Sequence, residues 1–231
     1  MSKLVKSKQR VTDHGEVFTS QREVNAMLDL VKQETERIDS RFLEPACGDG
    51  NFLAEILRRK LEVVSSKYKK NPIDFERHSI IAITSVYGVD LLEDNVIECK
   101  NRLFQIWDSE YEKLCKNEVS IECKDVVKYI LNHNILCGDA LTMKTSTGGP
   151  IIFPEWSFVS ETKVKRRDFR FDVLLKENEN EELYDTQLSL FSDDASYMDY
   201  WQIDPVSNEP IPKPIMEYPI ENYRRLSKYG Q

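Results

Sequence analysis

The stretch "RFLEPACGDGNFLAEIL", Arg41 to Leu57, joins a short apolar run to a glycine turn and then to one face of a helix. Few folds accommodate that order. Gly48 and Gly50 let the backbone turn tightly and approach a ligand, at the start of a helix whose first N–H groups lack intrahelical partners. Phe52, Leu53, Ile56 and Leu57 share a face of a helix expected from Asn51 to about Lys60. A lone glycine turn is structural as readily as functional, so its surroundings decide.

Those surroundings repeat the pattern. A polar insertion ("SSKYKKNPIDFERH") leads to the β-branched run "SIIAITSVYGVD", which reads as a buried strand. A helix is expected from near Glu93, carrying Val96, Ile97, Leu103, Ile106 and Trp107, and a second around "CKDVVKYILNH". "NILCGDAL" then reads as a third strand with a loop at its end. Strand, helix, strand, helix, strand predicts an α/β fold on a parallel sheet. Ligands of such sheets sit at the carboxyl ends of the strands, where "EPACGDG", "YGVDL" and "CGDAL" all fall. Upstream, Ser20 and Glu23 suit a capping box ahead of Val24, Met27, Leu28 and Val31 at helical spacing. Asp90 ends the second strand, placed either to accept hydrogen bonds from ribose hydroxyls or to cap the next helix. It lies 42 residues beyond Gly48, against ~20 in the dinucleotide fingerprint, and the insertion accounts for the excess.

Charge narrows the partners. The formal net charge is -8, but eight acids and no Lys or Arg fall between Glu177 and Asp199, so the rest of the chain is neutral. A neutral body with a basic N-terminal arm and the basic stretch "KVKRRDFR" (Lys163 to Arg170) is compatible with phosphate contacts without demanding them. No apolar run approaches the ~20 residues of a membrane span, and "MSKLVKSKQR" has no apolar segment behind it to make a secretory signal. Five cysteines without CxxC pairs (Cys47, Cys99, Cys115, Cys123, Cys137) point to a reducing, cytoplasmic setting rather than to zinc or disulfides. His14, His78 and His133 have no spacing that suggests a metal or a triad.

With these residues in place, a resemblance can be stated. "GEVFTSQREVNAML", "FLEPACGDGNFL", "YGVDLLEDNVIECKNRL" and "ILCGDAL", in this order, closely resemble the cofactor half of adenine-specific DNA methyltransferases of restriction-modification systems. The resemblance covers roughly Gly15 to Leu141. It implies a Rossmann-like fold binding S-adenosylmethionine, and methyl transfer to the exocyclic amine of adenine in DNA. On that resemblance Phe18 and Thr19 line the methionine end of the cofactor, and Glu44, Ala46, Gly48 and Gly50 form the turn beneath it. Asp90 holds the ribose, Leu91 lies against the adenine, and Asp139 accepts from the adenine amino group. Cys47 sits inside the cofactor turn and reads as a small turn residue, since transfer to an amine needs no covalent nucleophile.

The family also carries a catalytic loop of Asn, Asp or Ser, two prolines and an aromatic, after a fourth strand, which orients the target amine of a flipped base. "FDVLL", Phe171 to Leu175, supplies a strand of the expected kind, but "KENENEEL" follows it. Asn71-Pro72 falls between the first two cofactor strands, and "FPEW" (Phe153 to Trp156) lacks the leading polar residue. No catalytic residue can be named. A partner subunit supplying the loop, or a scaffold without catalysis, is the alternative reading.

The expected organisation is a basic arm (1–14), a methyltransferase-like cofactor-binding domain (15–175) and an irregular acidic, proline-rich C-terminal extension (176–231). "GGPIIFPEWSFV" and "DFRFDVLL" each read as a strand, and "DPVSNEPIPKPIMEYP" as extended over the surface. Within the acidic run, "QLSLF" resembles the peptides by which bacterial proteins dock on the replication sliding clamp, with Gln187 as anchor and Leu188, Leu190 and Phe191 for an apolar pocket. A tail strand packed on the body would show the same residues.

Overall fold

The computed structural model describes residues 6–14, 17, 19–176, 200–205 and 207–229. A first helix, α1 (Lys8–His14), precedes α2 (Gln21–Asp29) and the short α3 (Lys32–Glu36). The capping box expected at α2 is present: Ser20 Oγ accepts from the Glu23 N–H, and the Glu23 carboxylate accepts from the Ser20 N–H. The chain then runs through β1 (Phe42–Glu44), α4 (Asn51–Tyr68), α5 (Pro72–Thr84), β2 (Val86–Asp90), α6 (Glu93–Cys115), α7 (Ile121–Asn134) and β3 (Ile135–Asp139). β1, β2 and β3 lie side by side in that order and all run parallel. The two-residue β4 (Lys144–Thr145) closes the edge beyond β3 antiparallel, and β1 is the opposite edge. The fold is thus mixed α/β around a small parallel sheet, with two helices in each crossover.

Three expectations fail in this region. The stretch read as a polar insertion is helical, because Asn71 accepts from the Asp74 N–H and Pro72 occupies the first helical position, which starts α5. α5 continues through Thr84, so only Val86–Asp90 of the run "SIIAITSVYGVD" is strand. α4, expected to stop near Lys60, continues to Tyr68. A short, evenly apolar run carries no period that separates a buried helix from a buried strand.

A second, antiparallel layer follows: β5 (Ile152–Phe158) and β6 (Lys163–Arg170) pair from Ile152↔Arg170 to Phe158↔Val164. Phe171–Leu175, expected as a strand, instead opens α8 (Phe171–Lys176). β7 (Trp201–Ile203) and β8 (Pro210–Pro212) pair with each other, while β9 (Met216–Glu217) and β10 (Glu221–Asn222) add to β6. The hairpin is tied to the parallel sheet where Tyr87 Oη donates to the Pro154 carbonyl and to α7 where Trp156 Nε1 donates to Asn134 Oδ1, both at 2.9 Å. Four of its cations are paired internally: Lys165 with Glu217, Arg166 with Asp168, Arg167 with Glu155 and Arg170 with Asp172.

The stretch 204–219 runs extended with no buried residue among those described, and the residues after it are stapled to the body. Tyr223–Lys228 forms a 3-10 segment in which Tyr223 and Leu226 are buried. Tyr223 Oη (2.8 Å) and Arg224 Nε (2.6 Å) donate to Oε1 of the buried Glu76 on α5, whose Oε2 accepts from Tyr111 Oη. Most of the buried apolar residues form one continuous cluster, from Val24 through Leu53, Ile83, Trp107 and Ile130 to Leu226. No helix among the described residues is long and apolar enough to cross a membrane.

Candidate ligand-binding site

A cavity of about 500 Å³ opens at the carboxyl ends of β1, β2 and β3, within the 300–1,000 Å³ range of small-molecule sites. Thr19, Glu44, Ala46, Gly48, Asp90, Leu91 and Asp139, all singled out in the sequence, line it. Gly50 does not line it but shapes the turn from below, and Phe18 lies outside the described residues. Three loops more than forty residues apart in sequence therefore meet at one opening, because the parallel order of the strands delivers their ends to the same edge.

The turn is built from left-handed backbone. Gly48 and Gly50 have φ of 53° and 88°, a region that favours glycine, and the Gly50 N–H donates to the Cys47 carbonyl at 2.8 Å. Asp90 reaches back to hold this turn: its Oδ2 accepts the Gly48 N–H at 2.9 Å. Its Oδ1 accepts from the Leu92 N–H at 3.0 Å and from Asn95 Nδ2 at 3.1 Å. Asp90 does not cap α6, whose N-cap is Leu92 without a side-chain cap; it braces the loop ahead of the helix while its carboxylate lines the cavity. From the far side, Arg102 Nη1 donates to Asn51 Oδ1 at 2.7 Å and sits 3.4 Å from Asp49 Oδ1. Asn51 Nδ2 in turn donates to the Thr19 carbonyl at 3.4 Å, joining the segment before α2 to the turn.

The electrostatics of the lining are one-sided. Glu44, Asp49, Asp90 and Asp139 contribute four carboxylates, and among the described residues no Lys or Arg lines the cavity. Burial raises the Glu44 carboxyl above its usual range, against a hydrogen bond from the Ala46 N–H, and burial likewise raises Asp49. Asp139 is shifted the other way: the Leu141 N–H, then Thr142, hold its carboxyl low, with contacts of 2.9 and 3.0 Å. Leu91 and Leu141 stand 59% and 92% exposed at the rim, apolar side chains outside the core. Cys47 lies on the floor, and a hydrogen bond with Cys99 and then burial push its thiol well above the ordinary range. A thiol held protonated is not a nucleophile, in keeping with a small turn residue.

No family model, no curated protein and no solved structure matches the chain.

Asp49, Asn51, Asn95 and Leu141 join the site without having been singled out. Asp49 and Asn51 sat inside the motif, flanking Gly50, and were legible there. Asn95 had no signal: it follows two acids at a helix start and reads as one more polar residue. The segment with Gln187, Leu188, Leu190 and Phe191 lies outside the described residues, as do 177–199 entirely.

Proposed function

We propose that the chain binds S-adenosylmethionine in this cavity, as a Rossmann-like cofactor-binding unit of a DNA adenine methyltransferase system. The observation that carries the reading is the four-carboxylate lining, with no Lys or Arg among the described residues, at the carboxyl ends of three parallel strands. Such a lining disfavours phosphate-bearing nucleotides and favours a nucleoside with cationic centres, which the sulfonium and ammonium of this cofactor provide. The residues present fit the group. Asp90 offers carboxylate oxygens to the ribose hydroxyls, Leu91 an apolar face to the adenine, and Asp139 an acceptor to its amino group. Glu44 and Asp49 supply negative charge beside the turn, and Thr19 closes the side of the helix start. When bound, the cofactor supplies a methyl group on a sulfonium. The chain's own residues bind and orient it.

A second reading is favoured by specific observations: this chain is the cofactor-binding subunit, and the methylating loop and DNA-reading surface come from a partner chain. "FDVLL" is helical, so no fourth parallel strand extends the sheet past β1 among the described residues. Asn71-Pro72 is the start of α5, and Phe153 and Trp156 are buried in β5. None of these stretches is a free loop at a strand end beside the cavity. Tritiated methyl transfer to unmodified DNA by the purified chain supports the catalytic reading. Transfer only after addition of a co-purifying chain supports the subunit reading, and cofactor binding without transfer under either condition removes both in favour of a scaffold.

A further inference from the structure

Asp90 is the inner end of a hydrogen-bond relay that begins in the N-terminal arm. Lys6 Nζ and Arg10 Nη2 both donate to Asn95 Oδ1, at 2.7 and 3.2 Å. Asn95 Nδ2 donates to Asp90 Oδ1 at 3.1 Å, and Asp90 Oδ2 accepts the Gly48 N–H at 2.9 Å. Asn95 is only 1% exposed, and each pole of its amide meets the opposite charge: two cations at the oxygen, a carboxylate at the nitrogen. Only one orientation of the amide satisfies both. Asp94 and Glu98 keep the cations in place, with Lys6–Glu98 and Arg10–Asp94 contacts of 2.6 Å each and Lys6–Asp94 at 3.3 Å.

We propose that Asn95, held by Lys6 and Arg10, is a positioning residue for Asp90, so that the arm sets the affinity of the cavity for its ligand. Without the two cations, the amide loses the charge that fixes its orientation, and its flipped form aims oxygen at the Asp90 carboxylate. Asp90 then no longer holds Gly48, and the turn that shapes the cavity loosens. The ion pairs at the arm are partly exposed, so added salt weakens them, and part of the salt dependence of ligand binding runs through the arm. The choice of ligand rests on the cofactor reading above; the relay itself does not.

The test therefore has a ligand-free arm and a ligand arm, both on the full chain. Amide exchange at Gly48 is measured without ligand for wild type, Lys6→Ala with Arg10→Ala, and Asn95→Ala. S-adenosylmethionine is titrated into each at low and high salt. Expected in the arm double variant is Gly48 exchange faster by roughly tenfold and affinity lower by a similar factor, the scale of one hydrogen bond to a charged group. The affinity of wild type falls with salt more steeply than that of the variant, and Lys6→Arg with Arg10→Lys restores both readouts. Unchanged Gly48 exchange in the arm variant overturns the proposal even if Asn95→Ala unfolds the protein. Accelerated exchange in the arm variant with no cofactor binding by wild type keeps the relay and sinks the cofactor reading; cofactor binding with arm-independent exchange does the reverse.

Discussion

Gly50 combines a left-handed backbone with a close approach to α6. Its φ of 88° is left-handed, and a Cβ built on it would stand 2.7 Å from Cys99 Sγ on α6. Gly50→Ala therefore adds backbone strain and a clash that the Cys99 side chain or α6 must shift to relieve. An unfolding free energy lower by about 2 kcal/mol or more is expected in urea titration; an unchanged midpoint would mean that the turn relaxes without cost. Lys60 is the other residue whose environment is legible in solution. It is fully buried, and its ammonium donates to the carbonyls of Ile38 (3.2 Å) and Ser40 and to Ser85 Oγ (2.6 Å). Burial pulls its pKa from 10.5 down to about 7. The folded state then holds fewer protons than the unfolded state between about pH 7 and 10.5, so this group makes stability rise with pH across that window. The slope is at most about 1.4 kcal/mol per pH unit. Comparing wild type with Lys60→Met between neutral and mildly alkaline pH isolates it: the wild-type gain should vanish in the variant, and equal slopes would refute the assignment.

At the scale of elements, the sequence is most informative where the signal is local. Ser20 and Glu23 announce the start of α2 because both partners of the capping box lie within one helical turn. The glycine turn and Asp90 are legible because a strand end and a helix start bracket each of them. α5 is not, since the capping pair Asn71-Pro72 sits among lysines and the helix behind it is apolar enough to pass for strand. α8 is misjudged for a related reason: Phe171 and Val173 are buried, and a six-residue apolar segment fits either period. Pairings across the chain are invisible in principle. The contact of Lys6 with Asn95 spans 89 residues, and the neutralisation of Arg167 by Glu155 depends on the register of β5 against β6. The C-terminal staple belongs to this class too. Tyr223→Phe removes one of three donors to the buried Glu76 carboxylate. A loss of about 1–3 kcal/mol is expected in denaturant titration, because the carboxylate keeps Tyr111 and Arg224 but loses one hydrogen bond to a charged group. Wild-type stability in that variant would show that the Tyr223 hydroxyl adds nothing net to holding the segment.

For the whole molecule, the distribution of charge matters more than its sum. The arm's Lys6 and Arg10 and four cations of β6 are matched by acids within the fold, while Glu44, Asp90 and Asp139 line the cavity with no ion pair among the described residues. That arrangement predicts selectivity among adenosine-bearing ligands: ATP and NAD should fail to compete with S-adenosylmethionine, and the neutral thioether product should bind more weakly than the sulfonium. Competition by ATP at comparable concentration would show that the carboxylates do not govern the site. The most direct measurement is calorimetric titration of the purified chain with S-adenosylmethionine, beside Asp90→Ala. Expected is saturable one-site binding that Asp90→Ala weakens at least tenfold, since the variant removes the ribose acceptor and the hold on Gly48 together. Absence of heat and of any competing signal in the wild type, with the protein folded, would contradict the assignment of this cavity to the cofactor.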